Sequence, residues 1–487
     1  MRGQPFKLRP NTKCSLDKSK TYRLIRNAKC FSKNIIKRSI VTQSVEQKMA
    51  SEMKVEVVHK EIIKPSSPTP HHLRNLGLSV FDQFQPEIYI PVILFYRRSG
   101  DEVNNNRHCL FAEKLKLLKK SLSEALTRFY PFAGKFEYNV SISCNDHGAA
   151  FLEAQVNCPI SKILDKPEFS ILDQLLPTAI GSNQSEAGYL LLVQASLFEC
   201  GGLAIGVRIC HKVADASTFS AFIRHWTEIS LGSAISRDHD VHPAEFSVAA
   251  SLFPPQDFFN SPKPTVHLPK DKCVTRRYVF DASNIAALKT KAASATVPKP
   301  TRVEAVSALI WKCAMEASRW NLGSIRPSVL CQAVNIRKGL SGQAENLMGN
   351  LVWCFTAMNL ESELDYKNLV VKLRKGIEVY KEEHPNGVSG DVVMQTIKES
   401  GNLGRHDVET YAFSSWCRLP FYKANFGWGK PAWVSIRTIE FKNMIALMDT
   451  NDGGGIEATL TLKEDDMAMI GSNKEFLAYA SLNPAVI

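Results

Sequence analysis

The chain has 487 residues, 44% of them hydrophobic and 22% charged, enough for two or three domains with ordinary cores and too apolar for a disordered chain. Its net charge of +12 invites a polyanionic partner, but the charge is unevenly placed. Residues 1–48 hold 13 Lys/Arg and two acids, which leaves 47 basic and 46 acidic residues for 49–487; the body is near neutral, and a nucleic-acid-binding role loses its support.

The segment 1–48 is rich in Arg, Lys, Ser and Asn and has no compact apolar stretch of the secretory kind. Two readings stay open: an organelle-targeting extension, or an extended gene model that truly starts at Met49. The expected compartment is the cytoplasm, or a plastid or mitochondrion if the segment is a transit peptide. The twelve cysteines sit singly, without CxxC or zinc spacing, and read as reduced, mostly buried thiols; no metal site is expected. No membrane span is expected either. The most apolar window, Tyr189 to Val207, carries Gln194, Ser196 and Glu199 and is cut by Gly201-Gly202, so it reads as two buried strands joined at a glycine turn.

In chain order, V-E-V-V-H-K-E-I-I (55–63) alternates as a strand does, and P-S-S-P-T-P (65–70) breaks it. Leu115, Leu117, Leu118, Leu122 and Leu126 give 110–130 a helical spacing. Ser141 to Glu153 reads as a hairpin turning at Asn145-Asp146. Strands follow over 189–210, and Phe219, Phe222, Ile223 and Trp226 then mark an amphipathic helix. Residues 231–275 are rich in proline and lack a sustained period, as a long connection would be. Beyond it, Thr301-x-x-Glu304 is a capping box that opens a buried helix. Strands are expected at Leu330 to Ile336, Trp433 to Ile439 and Ile456 to Leu462. The expected organisation is an extension 1–48, an N-terminal α/β domain 49–235, a crossover loop 236–275 and a C-terminal α/β domain 276–487 of similar size.

Two His-x-x-x-Asp pairs occur, His211 with Asp215 and His267 with Asp271. At ~5% Asp per position, twelve histidines give about half such a match by chance. Context separates the two. His267 lies between Pro264 and Pro269 in the irregular connection, where a solvated loop is the better reading. His211 ends an apolar strand and precedes a helix, a junction where ligand sites often lie; a satisfied core histidine is the competing reading. Imidazole has a pKa suited to a general base, and an Asp four residues on can brace the turn without touching the ring. No Gly-x-Ser-x-Gly elbow supplies a nucleophile, which points to direct transfer onto a substrate hydroxyl or amine.

H-K-V-A-D (211–215) together with N-F-G-W-G-K-P (425–431), about 210 residues later, resembles the paired HxxxD and DFGWG motifs of the plant BAHD acyltransferases. The likeness runs in order through L-S-V-F-D-Q (78–83), F-Y-P-F-A-G-K (129–135), C-N-D-H-G-A-A-F (144–151), F-E-C-G-G-L-A-I-G (198–206), V-E-A-V-S-A-L-I-W-K (303–312), A-V-N-I-R (333–337) and D-T-N-D-G-G-G-I-E-A (449–458). P-S-S-P-T-P followed by L-S-V-F-D-Q is similar to the vinorine-synthase-like branch. The resemblance implies two chloramphenicol-acetyltransferase-like α/β domains with a solvent channel between them. It implies an acetyl-CoA-dependent O-acetyltransferase acting on an alkaloid, terpenoid or other bulky alcohol, working as a monomer with no tightly bound cofactor.

By the same resemblance, His211 is the base. Asp215 points away and pairs with Arg337. Trp416 and Ser414 are candidates to stabilise the oxyanion, with a packed core aromatic as the competing reading of Trp416. Asn425, Phe426, Gly427, Trp428 and Gly429 are structural. Asn425 departs from the family's usual Asp and drops its charge; Lys135 replaces a usual Arg, and Thr459 stands where Trp is common. Condensation domains and dihydrolipoyl or chloramphenicol acyltransferases share HxxxD, but the second His or trailing Gly typical of them is missing here. A catalytically silent binding module is the remaining alternative, and its expected mark, loss of His211, is absent.

Overall fold

A computed structural model describes residues 53–98, 107–178, 188–232, 244–256, 272–340, 346–385, 387–393, 395, 408–437 and 441–486. The extension 1–48 lies outside the described residues, as do His267 and Asp271. Sixteen strands form three sheets among the described residues. In chain order they are β1 (Val55–Ile63), β2 (Asn75–Gly77), β3 (Tyr89–Tyr96), β4 (Lys135–Glu137), β5 (Ser141–Ser143), β6 (Ala149–Val156), β7 (Leu191–Phe198), β8 (Leu203–Cys210), β9 (Cys273–Phe280), β10 (Ser328–Asn335), β11 (Val352–Asn359), β12 (Glu409–Ser415), β13 (Trp433–Ile436), β14 (Met444–Asp449), β15 (Ile456–Lys463) and β16 (Ser481–Leu482).

The first large sheet runs β1-β6-β7-β8-β3-β13. Its centre is the apolar run seen in sequence: all eight residues of β7 are buried, as a strand covered on both faces requires. Gly201, at φ +84, makes the turn into β8, a backbone angle that side-chain-bearing residues resist. The helices Arg107–Arg128 and Ala216–Ser230 pack together over this sheet. Trp226 on the second helix is fully buried, and its indole N–H reaches Ser121 Oγ at 3.0 Å on the first. The second large sheet runs β11-β10-β12-β14-β15-β9-β16, with its own core built around Trp311, Tyr278 and Leu460. The helix Arg302–Leu322 opens with the expected capping box: Thr301 Oγ1 accepts from Glu304 N at 3.1 Å, and Glu304 Oε2 accepts from Thr301 N at 2.7 Å.

Three features differ from the sequence reading. The stretch 141–153 is not a hairpin. β5 pairs with β2 and β4 in the small sheet, whereas β6 pairs with β1 and β7. Asp146 does turn the chain, at φ +57, but its carboxylate is drawn to the amide and hydroxyl of Thr69, at 3.0 and 2.6 Å, and the flanking strands separate into different sheets. The connection expected to be irregular contains the helix Ala244–Leu252. The strand expected in the second half at Trp433 pairs antiparallel with β3, from Trp433↔Phe95 to Ile436↔Val92. The first sheet therefore takes its edge strand from the far half of the chain, and a single cut near 276 does not separate the two sheets.

All ten cysteines described are free; four are buried, four half-buried and two exposed, so no cross-link among them contributes to stability. Among the described residues no helix is long and apolar enough to cross a membrane.

Candidate active site

β8 runs into His211, whose backbone N–H is captured by Ile88 O at 2.7 Å. Four residues later Asp215 caps the helix Ala216–Ser230, its carboxylate accepting from Thr218 N at 2.8 Å. The spacing thus serves two local ends: a strand terminus that presents the imidazole, and a helix N-cap, a position that favours Asp.

The Asp215 carboxylate does more than cap. Arg337, following β10, donates to Oδ2 from Nη1 at 2.7 Å and to Oδ1 from Nη2 at 3.3 Å, and Leu351 N donates to Oδ2 at 3.1 Å. Both partners are buried. Burial pushes the Asp215 carboxyl up, but the adjacent guanidinium and the backbone donors together outweigh it and hold the group below its ordinary 3.8. With four donors already on the carboxylate, Asp215 faces Arg337 and the backbone of the second half rather than the imidazole.

The ring of His211 finds a different partner. Its Nδ1 lies 3.1 Å from Asn350 Oδ1, while Asn350 Nδ2 donates to His211 O at 2.7 Å and to Asp82 Oδ1 at 2.9 Å. Those two acceptors fix which end of the amide is nitrogen, so the oxygen faces the ring. An acceptor there requires a proton on Nδ1 and leaves the lone pair on Nε2. The imidazole is half-buried. Burial lowers its pKa below 6.5, opposed by a hydrogen bond to its own backbone, by Asp215, by Asn350 and by Asp82. The ring therefore favours its neutral form at pH 7.

Trp416 and Ser414 are brought together with each other. Trp416 Nε1 donates to Ser414 Oγ at 3.2 Å, and the indole stacks on Phe421 with centroids 5.6 Å apart. Trp416 belongs to the apolar cluster that also holds Cys210 and Val213, the residues around His211. Trp416 is thus a packed core aromatic, as the competing reading had it, and its N–H is directed at Ser414. The Ser414 oxygen accepts that N–H, which leaves its own hydroxyl hydrogen available as a donor.

The N-F-G-W-G segment is a turn before β13. Asn425 Oδ1 accepts from Gly427 N at 2.9 Å and Gly429 N at 3.0 Å. Phe426 is fully buried against Trp226, and Trp428 receives the Lys114 ammonium 5.3 Å from its centroid. Thr459, where the family often has Trp, is buried, its hydroxyl 3.5 Å from Ile436 O. Among the described residues, His59, Glu61 and Glu153 could offer a metal three ligand atoms, but Lys119 pairs with both carboxylates.

Sequence reasoning missed Asn350. It sits in M-G-N-L (348–351), which carries no recognisable motif, and its partner is 139 residues away. Asp82 stands out in the sequence only as part of L-S-V-F-D-Q.

A family model described as the Transferase family matches residues 53–477. The chain belongs to this family, that of the plant BAHD acyltransferases. It is 41% identical over 434 residues to akuammiline synthase 1 of Alstonia scholaris, covering 88% of this chain and 98% of that one. It is 37% identical over 462 residues to a limonoid 7-O-acetyltransferase of Citrus sinensis, covering 89% and 99%. The crystal structure of vinorine synthase superposes with a TM-score of 0.77 at 34% identity, covering 89% of this chain and all of the other. TRI101 of F. sporotrichioides, complexed with coenzyme A and T-2, superposes at 0.61 with 18% identity and shares the fold alone. The two-domain α/β fold of the chloramphenicol-acetyltransferase kind is thereby shown, and this BAHD chain is an acyltransferase.

Proposed function

We propose that this acyltransferase moves acetyl from acetyl-CoA to a hydroxyl of a bulky plant alcohol, an alkaloid or terpenoid, by direct attack in a ternary complex. The observation that carries the mechanism is the commitment of Asn350 Oδ1 to Nδ1 of His211, which leaves Nε2 as a neutral base. His211 Nε2 takes the acceptor's hydroxyl proton as its oxygen bonds to the thioester carbonyl carbon. The C–S bond then breaks, and the departing thiolate takes that proton from the imidazolium, leaving as free CoA thiol. The Ser414 hydroxyl, with Trp416 Nε1–H behind it, is the donor suited to the transient oxyanion. Acetyl as the donor group is supported by the names of the limonoid O-acetyltransferase and stemmadenine O-acetyltransferase relatives. Asp215 holds the architecture through Arg337.

The full chain, incubated with labelled acetyl-CoA and a panel of alkaloid and terpenoid alcohols, is expected to release free thiol and label one class of alcohol. His211→Ala is expected to lower turnover by about 10²–10⁴-fold, the usual contribution of a general base. Wild-type turnover in that variant would remove His211 from the mechanism.

A further inference from the structure

Asn350 is held in place from two sides. On one side, the segment 347–351 is fastened by the Asp215–Arg337 pair: Arg337 Nε donates to Leu347 O at 2.7 Å and Nη2 to Gly349 O at 3.0 Å, while Leu351 N reaches Asp215 Oδ2. Thr218, on the helix that Asp215 caps, adds its hydroxyl to Gly349 O at 2.8 Å. On the other side stands Asp82, buried in the short helix Val80–Phe84. Its Oδ1 accepts from Asn350 N at 2.8 Å and Asn350 Nδ2 at 2.9 Å. Its Oδ2 accepts from Ser79 N at 2.9 Å and Ser79 Oγ at 2.6 Å. A buried carboxyl is costly, and this one spends half its capacity on a single residue of the other half of the chain.

We propose that Asp82 is a positioning residue for the acetyl transfer: it fixes the amide of Asn350, and that amide fixes the tautomer of His211. The proposal rests on His211 being the base. An amide can present either end to a neighbour by turning half a revolution. With oxygen toward Nδ1, the ring proton sits on Nδ1 and Nε2 can accept a proton. With nitrogen toward Nδ1, the proton must sit on Nε2, and the base is lost. Asp82 Oδ1 and the His211 carbonyl are the two acceptors that make the first orientation the better one. The chain of contacts Asp82–Asn350–His211 crosses from the first half to the second and back. The titratable and charged groups around the ring are Asp82, whose carboxyl is pushed up by burial against the pull of its Ser79 and Asn350 hydrogen bonds, the Asp215–Arg337 pair, and Lys212, which turns to Gln85 O and Glu87.

The test reads the ring itself, in the full-length protein labelled with ¹⁵N-histidine, where the His211 signals are those lost in His211→Ala. Long-range ¹H–¹⁵N spectra at neutral pH are expected to show the wild-type ring protonated at Nδ1. Asp82→Ala is expected to give a mixed tautomer and about 10- to 100-fold lower kcat with the alcohol found by screening, at unchanged KM for acetyl-CoA. In an Asn350→Ala background, removing Asp82 is expected to cost no further kcat. Asp82→Asn retains an acceptor for Asn350 and is expected to keep the wild-type tautomer, so it serves if the alanine variant does not fold. A wild-type ring protonated at Nε2 would overturn the proposal. So would a wild-type tautomer in folded Asp82→Ala, a scrambled ring in Asp82→Asn, or additive losses in the double variant. Full activity in His211→Ala would instead refute the underlying mechanism while leaving the tautomer measurement intact.

Discussion

His211 and Asp215 sit four residues apart and answer to different chemistry. Burial depresses the histidine's pKa, so its neutral form, the one the proposed mechanism uses, persists below 6.5 and is lost only as pH falls through the depressed value. The acid limb of kcat/KM against pH, which reports the free protein, is therefore expected below 6.5. A limb above it would mean that the ring is held charged, as by a facing carboxylate. Asp215 carries stability instead. Its folded pKa lies below its unfolded value, so its contribution is fully present above 3.8 and fades as pH drops through the lower, folded value. Asp215→Ala removes one partner of a buried pair and strands Arg337 at 2% exposure. About 3–5 kcal/mol of stability is expected to go with it, read as a large fall in thermal midpoint at pH 7. A folded Asp215→Ala variant with wild-type stability would contradict this.

At the scale of one turn, the departure at position 425 can be judged by what its oxygen does. Asn425 Oδ1 accepts two amides, from Gly427 and Gly429, and an amide oxygen performs that task without a charge. Asn425→Asp keeps both acceptances and is expected to change stability by less than about 1 kcal/mol, since the site is only half-buried and solvent screens the charge. Gly427 is less forgiving. Its φ is +114, and a Cβ would meet only Leu117, at 4.0 Å, so the penalty for Gly427→Ala is one of backbone conformation alone, about 1–3 kcal/mol in chemical denaturation. Elements of this kind are legible in the sequence wherever the signal is local. The capping box at Thr301, the glycine turn at Gly201 and the helix behind His211 all follow from neighbouring residues. Sequence reading fails where a distant partner decides. Asn145-Asp146 has the chemistry of a hairpin turn, yet Thr69, 77 residues earlier, claims the aspartate. Asn350 reads as nothing in its own neighbourhood, because its meaning lies in His211 and Asp82. Asp215 and Arg337 lie 122 residues apart in two motifs that nothing local connects, and only the family resemblance pairs them in the sequence.

Over the whole molecule, the two sheets are not two separable bodies. β13 leaves the second half to complete the first sheet beside β3, whose residues from Ile90 onward are all buried. Tyr96 Oη donates to Ala424 O at 3.0 Å, and Ser230 Oγ to Phe426 O at 2.8 Å, so the turn before β13 is also anchored on the first half. The Asp215–Arg337 and Asp82–Asn350 contacts tie the halves together again beside the imidazole. A fragment ending at 256 would keep β3 but lose its neighbour, baring an apolar strand edge of the kind that templates aggregation. It would also leave Asp215 and Asp82 without their partners from the second half. Such a fragment is expected to be insoluble alone and to be recovered in solution when 257–487 is co-expressed with it, the two co-purifying as one particle. The recovered complex is expected to melt in a single calorimetric transition with the β13 pairing intact, and replacing Ser435 by Pro, which removes an amide from that strand, is expected to lower its yield. A soluble, folded fragment 53–256 would show that the borrowed strand and the buried pairs are dispensable to the first half. The site would then have to be understood as assembled by docking of two finished domains rather than by their folding together.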